Sequence, residues 1–172
     1  SSSVGIAFRR ATVSAPLGPH RTEQKNVRPH HNPLDRAGRT FYLPCKGSDC
    51  VIGYRLDARH GVLVETSRVA ARPGAGPRHI DFHPRKPFAY VINELDSTIT
   101  TFRQDPASGA LTPLQTLPST PSDFTGYSTG AEIWVDGGHN PGAGQVIAET
   151  MANFEEREAR PLFLVTGMIN TK

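Results

Sequence analysis

Arg78, Glu94, His30, His31 and His79 are the residues of this sequence best suited to acid–base chemistry. An arginine holds a carboxylate or phosphate through two parallel hydrogen bonds. Glu94 directly follows the apolar run FAYVIN, so its carboxylate projects from the end of a strand. A histidine ring titrates close to neutral pH, so His30 or His79 can shuttle a proton. The set fits proton transfer on a small anionic molecule, with His79 and His31 as binding partners for it. Plainer uses stand beside these. Arg78 and His79 at a strand edge can be surface ion-pair partners, and Glu94 can accept hydrogen bonds in the turn it begins.

A second constellation is DGGHNP, with Asp136, His139 and Asn140. A glycine-rich link from strand into helix aims free N–H groups at an anion. Asp136 can then engage a ribose hydroxyl or a metal-bound water, and His139 a phosphate. The plainer reading is an ordinary strand–helix–strand unit without a ligand.

The elements that must position these residues come from a repeat. Shifting the chain by 48 residues aligns His31 with His79, Tyr42 with Tyr90, and Tyr54-Arg55 with Phe102-Arg103. Asp57, Gly61 and Leu63 align with Asp105, Gly109 and Leu111. Each copy, 34–63 and 82–111, reads as a turn, a short apolar strand, a turn, an alternating strand, and a D-x-x-x-G turn before a further strand. The N-terminal SSVGIAFR resembles the strand SDCVIGYR, as a shortened earlier copy. A period near this length with several strands per unit points to propeller blades, since a small sheet must cover its faces by stacking.

Past residue 131 the pattern changes to β-α-β. EIWVD reads as a short buried strand and GGHNP as a turn. Pro141 suits the first turn of a helix, in which Val146, Ile147, Met151 and Phe154 would form one apolar face. PLFLVTGM reads as a strand covered on both sides. The predicted fold is mainly β: a partial β-propeller of two to three blade-like repeats over 1–134, followed by one C-terminal β-α-β unit over 135–172.

Composition narrows the function classes. A chain of 172 residues can bury roughly 70% of its extended surface. Sixteen Gly and fifteen Pro imply many turns and few long helices. The net charge of +3 tolerates anionic ligands but is no nucleic-acid footprint. No apolar run reaches the ~20 residues of a membrane span, and the start SSSVGIAFRR lacks the order of a signal peptide. Cys45 and Cys50 flank the turn KGSD and read as reduced thiols in a cytoplasmic protein, although facing positions across a hairpin would also allow a disulfide. C-x4-C alone supplies too few ligands for zinc, and no metal site is expected.

GPRHIDFHP, FAYVINELDSTITTFRQDPASGALTPLQTLP and DFTGYSTGAEI resemble the lactonase family of seven-bladed β-propellers, which includes 6-phosphogluconolactonase-like proteins and carboxymuconate cyclases. The resemblance covers about residues 20–134. It implies a cofactor-free hydrolase acting on a small anionic lactone of a sugar acid or dicarboxylic acid, with Arg78, Glu94 and His30 as catalytic residues. Two departures stand out. The family's P-H-x-H pattern is met by VRPHHNPLD, with Arg28 where the first histidine would stand. A turn expected to carry Asp/Asn-Gly holds Arg85-Lys86-Pro87 instead.

DGGHNP together with PLFLVTGMINTK resembles the C-terminal domain of folylpolyglutamate synthase and dihydrofolate synthase. That resemblance covers about 132–172 and implies ATP and Mg, bound with Asp136, His139 and Asn140. The P-loop pattern G-x4-G-K-[ST] is absent from the chain. Two resemblances meeting at AEIWV suggest a chimeric chain. Three functions follow: a lactonase-like hydrolase, an ATP-site piece of a folate-modifying ligase, and a non-enzymatic binding or scaffold protein. An incomplete propeller would leave strand edges unpaired and favour self-association.

Overall fold

The alternating runs fold as two antiparallel sheets in a computed structural model, which describes residues 29–128, 130, 133 and 141–157. The first sheet has the order β1 (Phe41–Cys45), β2 (Cys50–Asp57), β3 (Val62–Ala70). The second has the order β4 (Pro77–Phe82), β5 (Phe88–Asn93), β6 (Thr98–Gln104), β7 (Leu111–Pro118). A helix, α1, spans Pro141–Arg157. The mainly β reading with blade-like repeats therefore holds.

The 48-residue repeat is a structural repeat down to its irregularities. β1 and β2 pair Phe41 with Tyr54 through Cys45 with Cys50; β5 and β6 pair Phe88 with Arg103 through Asn93 with Thr98. A bulge falls between Gly53 and Tyr54 in one copy and between Thr101 and Phe102 in the other. Asp49 and Ser97 both take positive φ, at 47° and 51°. Gly61 and Gly109 do likewise, and each donates its N–H to the carbonyl of the aspartate four residues earlier, at 2.8 Å. A left-handed residue without a Cβ penalty is what closes that turn. In the first copy the place of β4 is held by the segment 29–34, which bridges Pro29 to Cys45 and Leu34 to Phe41.

The two sheets pack with β1 against β4 and β3 against β7. Tyr42, Val51, Ile80, Ala89, Val91, Phe102 and Leu111 form one buried cluster drawn from both. Each large side chain contributes about 1.5–3 kcal/mol by leaving water. The Tyr42 ring lies 5.4 Å from that of Phe82. Its hydroxyl donates to the carbonyl of Gly109 and accepts from Gln104 Nε2 at 3.0 Å, so the polar end is satisfied inside the interface.

The departure at Arg85-Lys86-Pro87 is compensated locally. His83 Nδ1 accepts the N–H groups of Arg85 and Lys86, both at 3.0 Å, and the His83 N–H donates to Phe88 O at 2.9 Å. A side-chain acceptor replaces the missing Asp/Asn-Gly chemistry.

The helix begins at Pro141, as the sequence predicts. Its predicted apolar face is only partly covered: Val146 is 62% exposed, while Ile147 and Met151 are half-buried. Helical spacing marks which residues share a face but not whether that face is covered. Apart from Ile133, the strands expected at EIWVD and PLFLVTGM, and with them the β-α-β unit, lie outside the described residues. No described helix is long and apolar enough to cross a membrane.

Candidate active site

Three repeat positions build the site, each used twice. His30 and Arg78 are equivalent, as are His31 and His79, and Lys46 and Glu94. Arg78 sits at the register shift between Pro77 and His79 on β4. A bulge leaves one residue outside the ladder and re-aims its side chain. Lys46 and Glu94 each open the turn that follows the first long strand of their copy, β1 or β5.

The linker between the copies is fastened so that β4 starts in the right place. The Asp49 carboxylate, buried, accepts the N–H of Gly74 at 2.9 Å and of Gly76 at 2.8 Å. Gly76 then lies at φ 64°, where an added Cβ would stand 2.5 Å from Leu95 Cγ. Both the dihedral and the close approach call for glycine.

Stacking the copies closes the constellation. Lys46 Nζ lies 2.6 Å from Glu94 Oε1, and Arg78 Nη1 lies 2.7 Å from Glu94 Oε2. The Glu94 side chain is 8% exposed, Lys46 12% and Arg78 27%. Burial pushes the Glu94 carboxyl up, but hydrogen bonds from Lys46 and Arg78 outweigh it and hold it below the usual carboxylate range. Both carboxylate oxygens are thus engaged by cations, and Glu94 is a poor proton acceptor.

His30 feels the same group of charges. Partial desolvation lowers its pKa, the positive charges of Arg78 and Lys46 lower it further, and Glu94 opposes them. The lowered pKa favours the neutral ring at neutral pH. His31 and His79 pack ring to ring, centroids 4.7 Å apart. His31 Nδ1 accepts the Ile80 N–H at 3.4 Å, which requires that nitrogen to be unprotonated. Arg78 Nε is buried with no hydrogen-bond partner among the described residues.

Of the predicted residues, Arg78 and Glu94 meet directly, His30 lies within their electrostatic reach, and His31 stacks on His79. The surface ion-pair alternative for Arg78 is partly realised, since its partner is Glu94, but the pair is largely buried. Lys46 was missed. Its signal was the repeat itself, which gives it the position of Glu94. Asp136, His139 and Asn140 lie outside the described residues. No group of three or more metal-ligating His, Cys, Asp or Glu side chains occurs among the described residues.

Residues 5–155 match the family described as Lactonase, 7-bladed beta-propeller. The chain belongs to that family. It is 36% identical over 107 residues to the 6-phosphogluconolactonase of Pectobacterium carotovorum, covering 62% of this chain and 32% of the relative. It is 35% identical over 120 residues to that of Bacillus subtilis, covering 69% and 33%. Among solved structures, a protein from Lactobacillus plantarum superposes with a TM-score of 0.60 at 32% identity, over 66% of this chain and 33% of the other. The periplasmic gluconolactonase of Pseudomonas aeruginosa gives 0.57 at 26% identity, over 66% and 32%. The chain spans about a third of the length of these relatives.

Proposed function

We propose that the chain supplies two consecutive blades of a lactonase, and that Arg78, Glu94 and His30 act in opening a small anionic lactone of the 6-phosphogluconolactone kind. The observation that carries this reading is the Glu94 carboxylate clamped between Lys46 and Arg78, within electrostatic reach of His30. The names of the relatives support the substrate class.

The roles follow from the charges. His30, neutral, takes a proton from water as its oxygen attacks the lactone carbonyl. Arg78 and Lys46 face the negative charge that develops on the carbonyl oxygen; such fixed positive groups act most strongly where water is scarce. Glu94 holds both cations in place. His79 and His31 contact the substrate. The ring oxygen leaves with the proton returned by His30, so one water is consumed and a hydroxy acid formed. No cofactor enters this scheme.

The test is hydrolysis of 6-phosphogluconolactone by the chain, followed as acid release. Turnover above the spontaneous rate is expected, and Arg78→Ala should abolish it while leaving the melting transition cooperative. Unchanged turnover in that variant overturns the assignment.

A second reading places an ATP and Mg site at Asp136, His139 and Asn140, with 135–172 as a ligase-like unit joined to the propeller part. The start of α1 at Pro141, the last residue of the sequence GGHNP, favours it. The lactonase match to residue 155 runs through the supposed join and weighs against it. Thermal stabilisation by ATP with Mg is its test, because a ligand that binds only the folded state raises apparent stability.

A further inference from the structure

We propose that Cys45 and Cys50 form a reversible dithiol–disulfide site, oxidised by a peroxide, that clasps the β1–β2 hairpin of the first copy. The two residues are direct partners across the hairpin, at the last ladder position before its turn. Both are buried, Cys45 fully and Cys50 at 6% exposed, in a small cluster with Ile52.

The repeat supplies an independent measure of the geometry. Cys45 and Cys50 align with Asn93 and Thr98. In the second copy those side chains meet directly, Asn93 Nδ2 donating to Thr98 Oγ1 at 2.9 Å. The same ladder position therefore brings two side chains together in each copy. The second copy closes it with a hydrogen bond and the first with two sulfurs. The residue that follows the first member of each clasp in sequence belongs to the ion pair: Lys46 in one copy, Glu94 in the other.

The surroundings assign the order of events. Cys50 Sγ lies 3.9 Å from Arg68 Nη1, and the neighbouring Cys45 thiol and that guanidinium lower its pKa. Cys45 donates its thiol proton to the Leu43 carbonyl at 3.3 Å and keeps it, its pKa raised by the neighbouring Cys50 and by burial. The Cys50 thiolate attacks one peroxide oxygen, breaking the O–O bond and leaving a sulfenic acid and hydroxide. The Cys45 sulfur then displaces hydroxide from the Cys50 sulfur, and its proton leaves in the water formed. Two thiols and one hydrogen peroxide become one disulfide and two waters.

The test is the intact mass of the chain after exposure to hydrogen peroxide, with remaining thiols alkylated under denaturing conditions. A monomer lighter by two hydrogens and carrying no alkyl group is expected, returning to two alkylated thiols after dithiothreitol. Cys45→Ser should instead gain oxygen at Cys50 or keep it alkylatable. The proposal is overturned if both wild-type thiols remain alkylatable, if Cys50 gains oxygen while Cys45 stays free, or if the sulfurs link two chains. None of these outcomes depends on lactone hydrolysis.

Discussion

Lys46 and Glu94 occupy the same position in two copies of one repeat, and they meet as an ion pair of 2.6 Å. A single position has therefore become the two halves of one contact. The pair also ties the first sheet to the second beside the bulge that carries Arg78.

Removing one half should expose the cost of that arrangement. Lys46→Met leaves Glu94 buried with Arg78 as its remaining cation. Breaking a buried pair typically costs about 3–5 kcal/mol. The surviving Arg78 contact places this variant at the lower end of that range. Urea unfolding measures it, and an unchanged midpoint would show the pair to be energetically silent.

Stability should fall with acid through Glu94. Its pKa is lower in the folded protein than in the unfolded chain, where it is about 4.3. The unfolded state therefore binds the proton first. The contribution is complete above the unfolded value and is lost as pH drops through the folded one. Glu94→Gln should be less stable at neutral pH and show a shallower acid slope below about pH 5. An unaltered slope would place the acid sensitivity elsewhere.

His30 offers a direct reading of the field in the site. Its pKa lies below 6.5. In a histidine NMR titration, Arg78→Met should raise it by removing a repelling charge. Glu94→Gln should lower it further, because the carboxylate favours the imidazolium. Shifts of the opposite sign would mean that His30 does not face this group.

Tyr42 tests the interface between the copies. Tyr42→Phe removes the donor to Gly109 O and the acceptor for Gln104 while keeping the ring that touches Phe82. Leaving a buried partner unsatisfied costs about 1–3 kcal/mol. Thermal unfolding should register that loss, and a neutral result would mean that water replaces the hydroxyl.

The linker makes a fifth test. Asp49→Ala orphans the N–H groups of Gly74 and Gly76. The segment leading into β4 should loosen, and amide exchange at Gly74 and Gly76 should quicken before any global change. Exchange at wild-type rates would show that the turn holds itself.

Much of the site was legible one residue at a time. Glu94 after FAYVIN and Arg78 in GPRH stand out because strand ends and arginine chemistry are local properties. Lys46 was not, because its partner is chosen by stacking. The covering of α1 was illegible for the same reason: Val146 has the right spacing but remains 62% exposed. His83 likewise gives no sign in the sequence that it will serve as the acceptor for a turn without glycine.

By itself, the sequence determined the strands, the turns and their period, since alternation, D-x-x-x-G turns and glycine at positive φ act over a few residues. The tertiary structure alone decided that Lys46 and Arg78 would grip one carboxylate and that His30 would lie within their electrostatic reach. Such contacts depend on how one sheet seats against the next, and charges placed 48 residues apart carry no local trace of that fit.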